Sequence, residues 1–291
     1  MQNSSMKIGF IGAGRMATTL ALGLAQSGYH IAAIASRTHQ SAQLLAQTIK
    51  GCQAQKDFSD IVRNCDFVFI TTPDDSIEAA VDQIRWREGM SVVHCSGAKT
   101  ADILRKAKND GAYTASFHPM QTFPKISGGD NELSGISFAI EGDTLVLNKL
   151  KDMASNLGGW SVEVSPEHRA IYHLSGFLAC GAVTTLINQA SGLWEILGYK
   201  REYGLKVLLP LLKSTVASIE NHGIADSLTG PISRGDIGTV EKHIEALQQN
   251  AKSMLPLYKS LASGALTVAS QRNDISQSSE TALRTLLDDH I

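Results

Sequence analysis

The chain has no pair of cysteines at CxxC spacing; Cys52, Cys65, Cys95 and Cys180 stand alone along 291 residues. That pattern argues against zinc clusters and disulfide frameworks, so no metal site is expected and a reducing, cytoplasmic setting fits. No block of lysines and arginines occurs either: 26 Lys and Arg stand against 28 Asp and Glu, for a formal charge of −2. Such a balance excludes nucleic acid as the expected main partner. The start, MQNSSMK, is not followed by an uninterrupted apolar run, so no signal peptide is expected. The longest apolar stretch, Ile171 to Leu197, contains His173, Ser175, Thr184, Asn188, Gln189 and Glu195. That polar content speaks against a bilayer span and for a helix buried in a soluble domain. Internal repeats and low-complexity tracts are missing too.

What is present is an alternation. Lys7–Ile11, His30–Ser36, Asp66–Thr71, Ser91–Cys95 and Tyr113–Ser116 are short runs rich in Ile, Val and Phe. Between them lie helix-like segments at Arg15–Ser27, Gln40–Ile49, Ile77–Ile84 and Thr100–Asn109. A further strand, helix and strand are expected at Ser137–Glu141, Thr144–Leu157 and Trp160–Val164. This is the pattern of βαβ units: an α/β, Rossmann-type, doubly wound and mainly parallel sheet. After Pro166 the strand signal ends. Apolar residues recur at spacings of three and four from Ile171 to Leu197, and further helices are expected at about 201–221, 237–249, 253–272 and 278–290, with a kink at Pro210. The expected division is therefore a nucleotide-binding domain over 1–165 and an all-helical substrate and dimerisation domain over 166–291.

The first strand runs into Gly12-Ala13-Gly14-Arg15-Met16-Ala17 and then an amphipathic helix. In this setting GxGxxA has a mechanism: Gly12 permits a tight turn, Gly14 lets the backbone approach a pyrophosphate, and Ala17 brings helix and sheet together. Free N–H groups at the helix start attract the phosphates. A plain strand-to-helix turn is the alternative. No Asp or Glu occurs from Ile31 to Gln43, where an acidic residue would hold the ribose 2′-hydroxyl of NAD. Ser36-Arg37-Thr38 stands there instead and suits a 2′-phosphate, so NADP(H) is expected over NAD(H). Arg37 could also be only a solvated residue before a helix. Thr71, Thr72 and Pro73 end another strand and are expected beside the nicotinamide ribose.

From Ile8 to Pro73 the sequence resembles the 6-phosphogluconate dehydrogenase-like superfamily, which includes pyrroline-5-carboxylate reductases and prephenate dehydrogenases. The whole chain is similar to a bacterial family of Rossmann-like proteins with a dedicated helical C-terminal domain. HCSGA (94–98), FHPMQTFP (117–124), YHLSGFLACG (172–181) and LTGPISRGD (228–236) carry that similarity. It implies an NADP-dependent oxidoreductase and, from the superfamily, a homodimer through the helical domain. That family often has Asn where this chain has Gly181, which suits close helix packing instead.

Hydride transfer needs a partner for the accompanying proton, and His is the usual choice. His94, His118, His168 and His173 can be placed near the expected cleft. His118 leads, because it follows a strand and should emerge at the sheet's carboxyl edge, with Ser96 from the previous strand nearby. The resemblance to prephenate dehydrogenases implies that such a Ser and His engage a substrate hydroxyl, although Gln121-Thr122-Phe123-Pro124 departs from that family's glycine. Gln121 is expected at the substrate, in a loop stiffened by Pro119 and Pro124. Hydroxyacid dehydrogenases of the superfamily use a Lys on the helix after the sheet; this chain has no Lys between Lys151 and Lys200, leaving His173 or Tyr172 for that role. Arg234 suits an anionic substrate group, and Asp236 could join it or only cap a helix. A backbone-bonded loop His118, a capping Ser96 and a core His173 remain the structural alternatives. The expected activity is hydride transfer to or from a small, anionic carbonyl, imine or hydroxy compound. An imine reductase and a non-catalytic NADP(H) sensor are the competing readings.

Overall fold

The computed structural model describes residues 6–123, 133–272 and 275–288. Its chain divides into two compact units, Met1–Gly181 and Ala182–Ile291. In the first, the apolar runs become β1 (Lys7–Ile11), β2 (His30–Ala35), β3 (Gln53–Gln55), β4 (Phe67–Ile70), β5 (Ser91–His94), β6 (Tyr113–Pro119), β7 (Ser137–Gly142) and β8 (Trp160–Glu163). They form one sheet in the order β3-β2-β1-β4-β5-β6-β7-β8. All neighbours are parallel except β6 and β7, which run antiparallel. Strands β4 and β5 are buried along their whole length, which is why FVFI and SVVH read as unbroken runs rather than alternations.

The helices of this unit are α1 (Arg15–Gln26), α2 (His39–Gln47), α3 (Phe58–Asn64), α4 (Ile77–Asp82), α5 (Arg105–Asn109), α6 (Thr144–Asn156) and α7 (Arg169–Phe177). Ala17, Leu20, Ala21 and Leu24 of α1 are buried at spacings of three, one and three, the stripe a helix presents to a sheet. Two apolar layers result. One holds the row Phe10, Phe69, Phe117 and Phe138, with successive ring centroids 5.2, 6.1 and 4.6 Å apart. The other holds Ile11, Val68, Ile70, Val92 and Trp86.

Several elements differ from the sequence expectation. Strand β6 does not stop at Ser116 but continues through His118 and Pro119, because β7 pairs antiparallel with it, Phe117 to Ile140 and His118 to Ala139. Strand β3 and α3 were not anticipated: QAQ is too short and polar to carry a strand signal, and it forms by pairing with β2. Thr100–Asn109 begins as a 3₁₀ turn at Ala101–Leu104 before α5.

The second unit contains α8 (Val183–Ile196), α9 (Arg201–Ser227), α10 (Ile237–Asn250), α11 (Leu255–Ser270) and α12 (Gln277–Asp288). Ile232, Val240, Ile244, Ala262, Leu266, Leu283 and Leu287 make its core. Pro210 lies inside α9, but the non-helical backbone is at Gly223, with φ 78°. A glycine reaches that conformation cheaply, so the bend sits where the chain is most permissive. Between α7 and α8, Leu178–Ala182 is a π turn, so the segment read as one long helix has a wide turn in its middle. The expectation of burial for that segment does not hold: Arg169 is the buried residue of α7 and Ser191 that of α8. Ile171, Leu174, Phe177, Leu178, Ile196 and Leu197 are exposed, Leu197 at 64%, and Leu186, Ile187, Leu193 and Trp194 are half-buried. By length and hydropathy alone, Pro166–Ile196 could cross a membrane. In its first turns Arg169 bonds Ser96 O and Tyr172 meets His118, both in the sheet unit.

Candidate active site

The glycine loop has the backbone its sequence requires. Gly12 has φ +115°, and a Cβ there would lie 2.7 Å from both the carbonyl carbon and Oγ1 of Thr71. Its N–H donates to Ala35 O at 2.8 Å, fixing the turn across to β2. Gly14 caps α1 with no side-chain hydrogen bond, and the space a Cβ would take is open. Amides at the start of α1 have no intrahelical acceptor, so this cradle fits a pyrophosphate. Ala13, Arg15 and Met16 continue the loop, with Arg15 exposed. Ser36, Arg37 and Thr38 link β2 to α2, with Arg37 and Thr38 exposed. Buried Thr71 directs its hydroxyl to the carbonyls of Ile11 and Gly12, at 3.2 and 3.3 Å, so it supports the loop rather than pointing outward. Thr72 Oγ1 is buried without a partner, and Pro73 is exposed.

The candidate chemistry gathers on one face of the same sheet. Strand register sets His94 beside Ser116, and Ser116 opposite Glu141. Alternation along β6 then puts His118 on the face of Ser116, opposite to Phe117. Ser96 follows β5. Its Oγ is 2.6 Å from Asp74 Oδ2 and accepts from the amides of Ala98 and Lys99 at 3.3 and 3.1 Å. Both readings of Ser96 therefore have support: it orders a turn, and it is bonded to a carboxylate.

Helix α7 covers this face. Tyr172 Oη lies 2.8 Å from His118 Nδ1, and the rings meet edge to face. The ring centroids of His118 and His173 are 6.2 Å apart. Gly97 fits beside both: a Cβ there would lie 2.6 Å from His173 Cδ2 and 2.7 Å from His118 Nε2. Three residues named from the sequence, Ser96, His118 and His173, thus come together around one glycine.

Arg169 was missing from the sequence reading. Its side chain is 1% exposed, and Nη2 donates to Ser96 O at 2.7 Å. Nε and Nη1 have no partner, and among the described residues no carboxylate lies within ion-pair distance of it. The guanidinium stands 5.6 Å from the Tyr172 ring centroid. No motif announced it, because an Arg at the start of a helix reads as solvated. Glu141 was overlooked as the end of an apolar strand; its Oε1 accepts from Ala101 N at 3.0 Å and its Oε2 is buried unpaired.

Burial and this cation set the protonation of the site. Burial, then Arg169, then His173, push His118 down to about 3. His94 falls to about 4, chiefly through burial and then Arg169; its Nδ1 accepts from Ser96 N at 3.1 Å while Nε2 meets Thr100 O at 3.1 Å. That pair of bonds requires Nε2–H, so His94 is a neutral structural ring. Burial raises the Tyr172 phenol to about 12. Burial also raises the Glu141 carboxyl, and Arg169 itself is lowered mainly by burial. His118 is therefore a neutral imidazole at neutral pH, below the ordinary range of a histidine.

The other named residues lie elsewhere. Gln121 is exposed and its Oε1 accepts from Thr122 N at 2.9 Å. Pro124 falls outside the described residues. His168 is exposed, with Nδ1 2.9 Å from Ser165 Oγ. Arg234 ends the 3₁₀ turn Ile232–Arg234 in the helical unit and is exposed. Asp236 caps α10, with Oδ1 accepting from Thr239 N at 3.1 Å and Oδ2 from Thr239 Oγ1 at 2.7 Å, so the cap engages both oxygens. Gly181 sits in the π turn, where a Cβ would meet the Phe177 ring at 2.9 Å.

Comparison with known proteins agrees with this layout. Residues 7–97 match the family described as NADP oxidoreductase, coenzyme F420-dependent, and residues 136–265 match a domain of unknown function, DUF2520. No curated protein matches the chain. Among solved structures, BF3122 from Bacteroides fragilis, proposed to be an NADP oxidoreductase, is 26% identical, with TM-score 0.70 over 90% of this chain and 98% of that one. Protein TM1727 from Thermotoga maritima is 23% identical, with TM-score 0.71 over 91% and 99%. Pyrroline carboxylate reductase from Plasmodium falciparum, with NADP bound, shares the fold at 16% identity and TM-score 0.60, over 93% and 98%. The chain therefore joins an oxidoreductase domain of the NADP-dependent class to a DUF2520 domain.

Proposed function

We propose that this protein transfers a hydride between NADP(H) and a small, anionic carbonyl, imine or hydroxy compound. One observation carries the reading: Ser96, His118 and His173 meet around Gly97 at the carboxyl ends of β5 and β6, in the sheet whose β1 bears the glycine loop. Ligands of open α/β sheets bind at that edge. Gly12 to Met16 would hold the pyrophosphate, Arg37 between Ser36 and Thr38 the 2′-phosphate, and Thr72 and Pro73 the nicotinamide ribose. His118 Nε2–H would give a proton to the substrate oxygen or nitrogen as hydride arrives, with Ser96 assisting and buried Arg169 favouring negative charge there. Gln121 would meet the substrate. Imine reduction, the activity class of the pyrroline carboxylate reductase likeness, makes the least demand on a base and is the second reading.

The protein is proposed to form a homodimer through the helical unit, whose α9 exposes Tyr203, Leu205, Val207, Leu211, Val216 and Ile219. None of Cys52, Cys65, Cys95 and Cys180 is in a disulfide, and a cytoplasmic setting is proposed.

Titration with NADPH, followed by nucleotide fluorescence, tests the cofactor. The expected result is binding by NADPH in preference to NADH, with Arg37→Ala weakening NADPH about tenfold and leaving NADH unchanged. No NADPH binding would overturn the proposal. Short 2-oxo acids and cyclic imines, followed by NADPH absorbance, test turnover; tight binding with none would favour a nucleotide sensor.

A further inference from the structure

A reduction consumes one proton for each hydride, and a buried donor must recover that proton in every cycle. Held neutral, His118 cannot store a spare one. A neutral imidazole can still conduct: as Nε2 releases a proton, Nδ1 takes one up. The geometry provides for both ends. Nε2 lies at the Gly97 turn, while Nδ1 is 2.8 Å from Tyr172 Oη.

Tyr172 also lines a cavity of about 590 Å³ in the sheet unit, open to solvent, whose wall includes Glu141, Glu163, Ser165, His168 and Ile171. None of the roles assigned above uses this cavity. Carboxylates, a hydroxyl and an imidazole on its wall can hold and exchange water protons. Arg169, 5.6 Å from the Tyr172 ring and with no carboxylate at ion-pair distance among the described residues, would favour the negative charge left when that phenol gives up its proton.

We infer that Tyr172 is a positioning and proton-relay residue, which fixes His118 with its proton on Nε2 and resupplies it from the cavity beside Glu141. The inference rests on the oxidoreductase reading above. In the reductive direction, His118 Nε2 protonates the substrate oxygen as a reduced nicotinamide delivers hydride to carbon and the C=O π pair moves to oxygen. The Tyr172 proton passes to Nδ1, and the resulting phenolate takes a proton from cavity water. The nicotinamide ends oxidised, the carbonyl becomes an alcohol, and one solvent proton is consumed.

The test uses the full chain with ¹⁵N-labelled histidine and no ligand, His118 being assigned by comparison with His118→Gln. In the wild-type protein we expect one neutral tautomer at neutral pH, protonated on Nε2. In Tyr172→Phe the fixing bond is gone, and both tautomers are expected. A proton on Nδ1 in the wild-type protein, which needs no variant to fold, would overturn the relay. So would an unchanged tautomer in Tyr172→Phe that retains its circular dichroism. NADPH affinity of Tyr172→Phe should stay within about twofold, since Tyr172 is assigned no cofactor contact. With any 2-oxo acid or cyclic imine that turns over, kcat should fall about 100-fold with KM little changed, and the solvent deuterium effect on kcat should rise. Loss of NADPH binding in the wild-type protein would sink the oxidoreductase reading while leaving the tautomer result to stand alone.

Discussion

The two units handle apolar surface in opposite ways. In the sheet unit, Phe10, Phe67, Phe69, Phe117 and Phe138 are all fully buried, and two apolar layers close on the strands between them. The helical unit has a small core around Val240 and Leu266, while Leu211 is 65% exposed and Val216 58%. The sheet unit has the larger core but still exposes Ile171, Leu174 and Phe177 on α7, whereas the helical unit exposes apolar side chains along much of α9. A sheet with helices on both faces has no apolar side left over, whereas a helix offers one face to its own core and can keep another in reserve. The chemistry follows this division. Ser96, His118, Tyr172, His173 and Arg169 all belong to the sheet unit, with Ser96 and Arg169 buried and His173 exposed.

That contrast can be broken at either side. The largest effect is expected from Gly12→Val, which places a branched side chain at φ +115° against Thr71 and should weaken NADPH by about 100-fold or more in a fluorescence titration. Association of the helical unit should be untouched by it. Next comes pH. His94 and His118 titrate at about 4 and about 3 when folded, below their ordinary 6.5. The unfolded chain therefore binds more protons across that interval, and the stability they contribute is full above about 6.5 and lost progressively as pH falls toward 4 for His94 and toward 3 for His118. Urea unfolding at pH 7.5 and 5 should differ by about 4 kcal/mol from these rings, about 2 from each. No loss on acidification would show that the rings are solvated rather than held in a buried, cationic setting.

Leu211→Glu should act on the other unit alone, weakening self-association by about tenfold or more in sedimentation while NADPH affinity is retained. A wild-type monomer at every concentration would remove that association from the comparison. The smallest effect is expected from Asp236→Ala, which frees the first-turn donors of α10 that its carboxylate now accepts and should cost about 1 kcal/mol by chemical denaturation.

Most of the sheet was legible because its longer strands are apolar runs, and the glycine loop because GxGxxA follows a strand and opens a helix, with Gly12 in a backbone that other residues rarely adopt. The match to an NADP oxidoreductase family over 7–97 agrees with that reading. Elements held by pairing rather than composition were not legible: QAQ became β3 by lying along β2, and β6 grew to Pro119 by pairing with β7. Within the site, Ser96 and His118 could be placed from strand ends. Arg169 and Glu141 could not, since their burial depends on what α7 and the 3₁₀ turn at Ala101 bring over the sheet. The same distance from local sequence explains the exposed helix after Pro166: periodicity marks an apolar face but not whether the chain itself covers it.

Gly97 gives the cluster a mechanical property. The gap between the two imidazoles is kept open by a missing methyl group, so this position acts as a feeler gauge. Gly97→Ala would be a wedge one carbon thick, prising His173 from His118 without altering a charge, a donor or an acceptor.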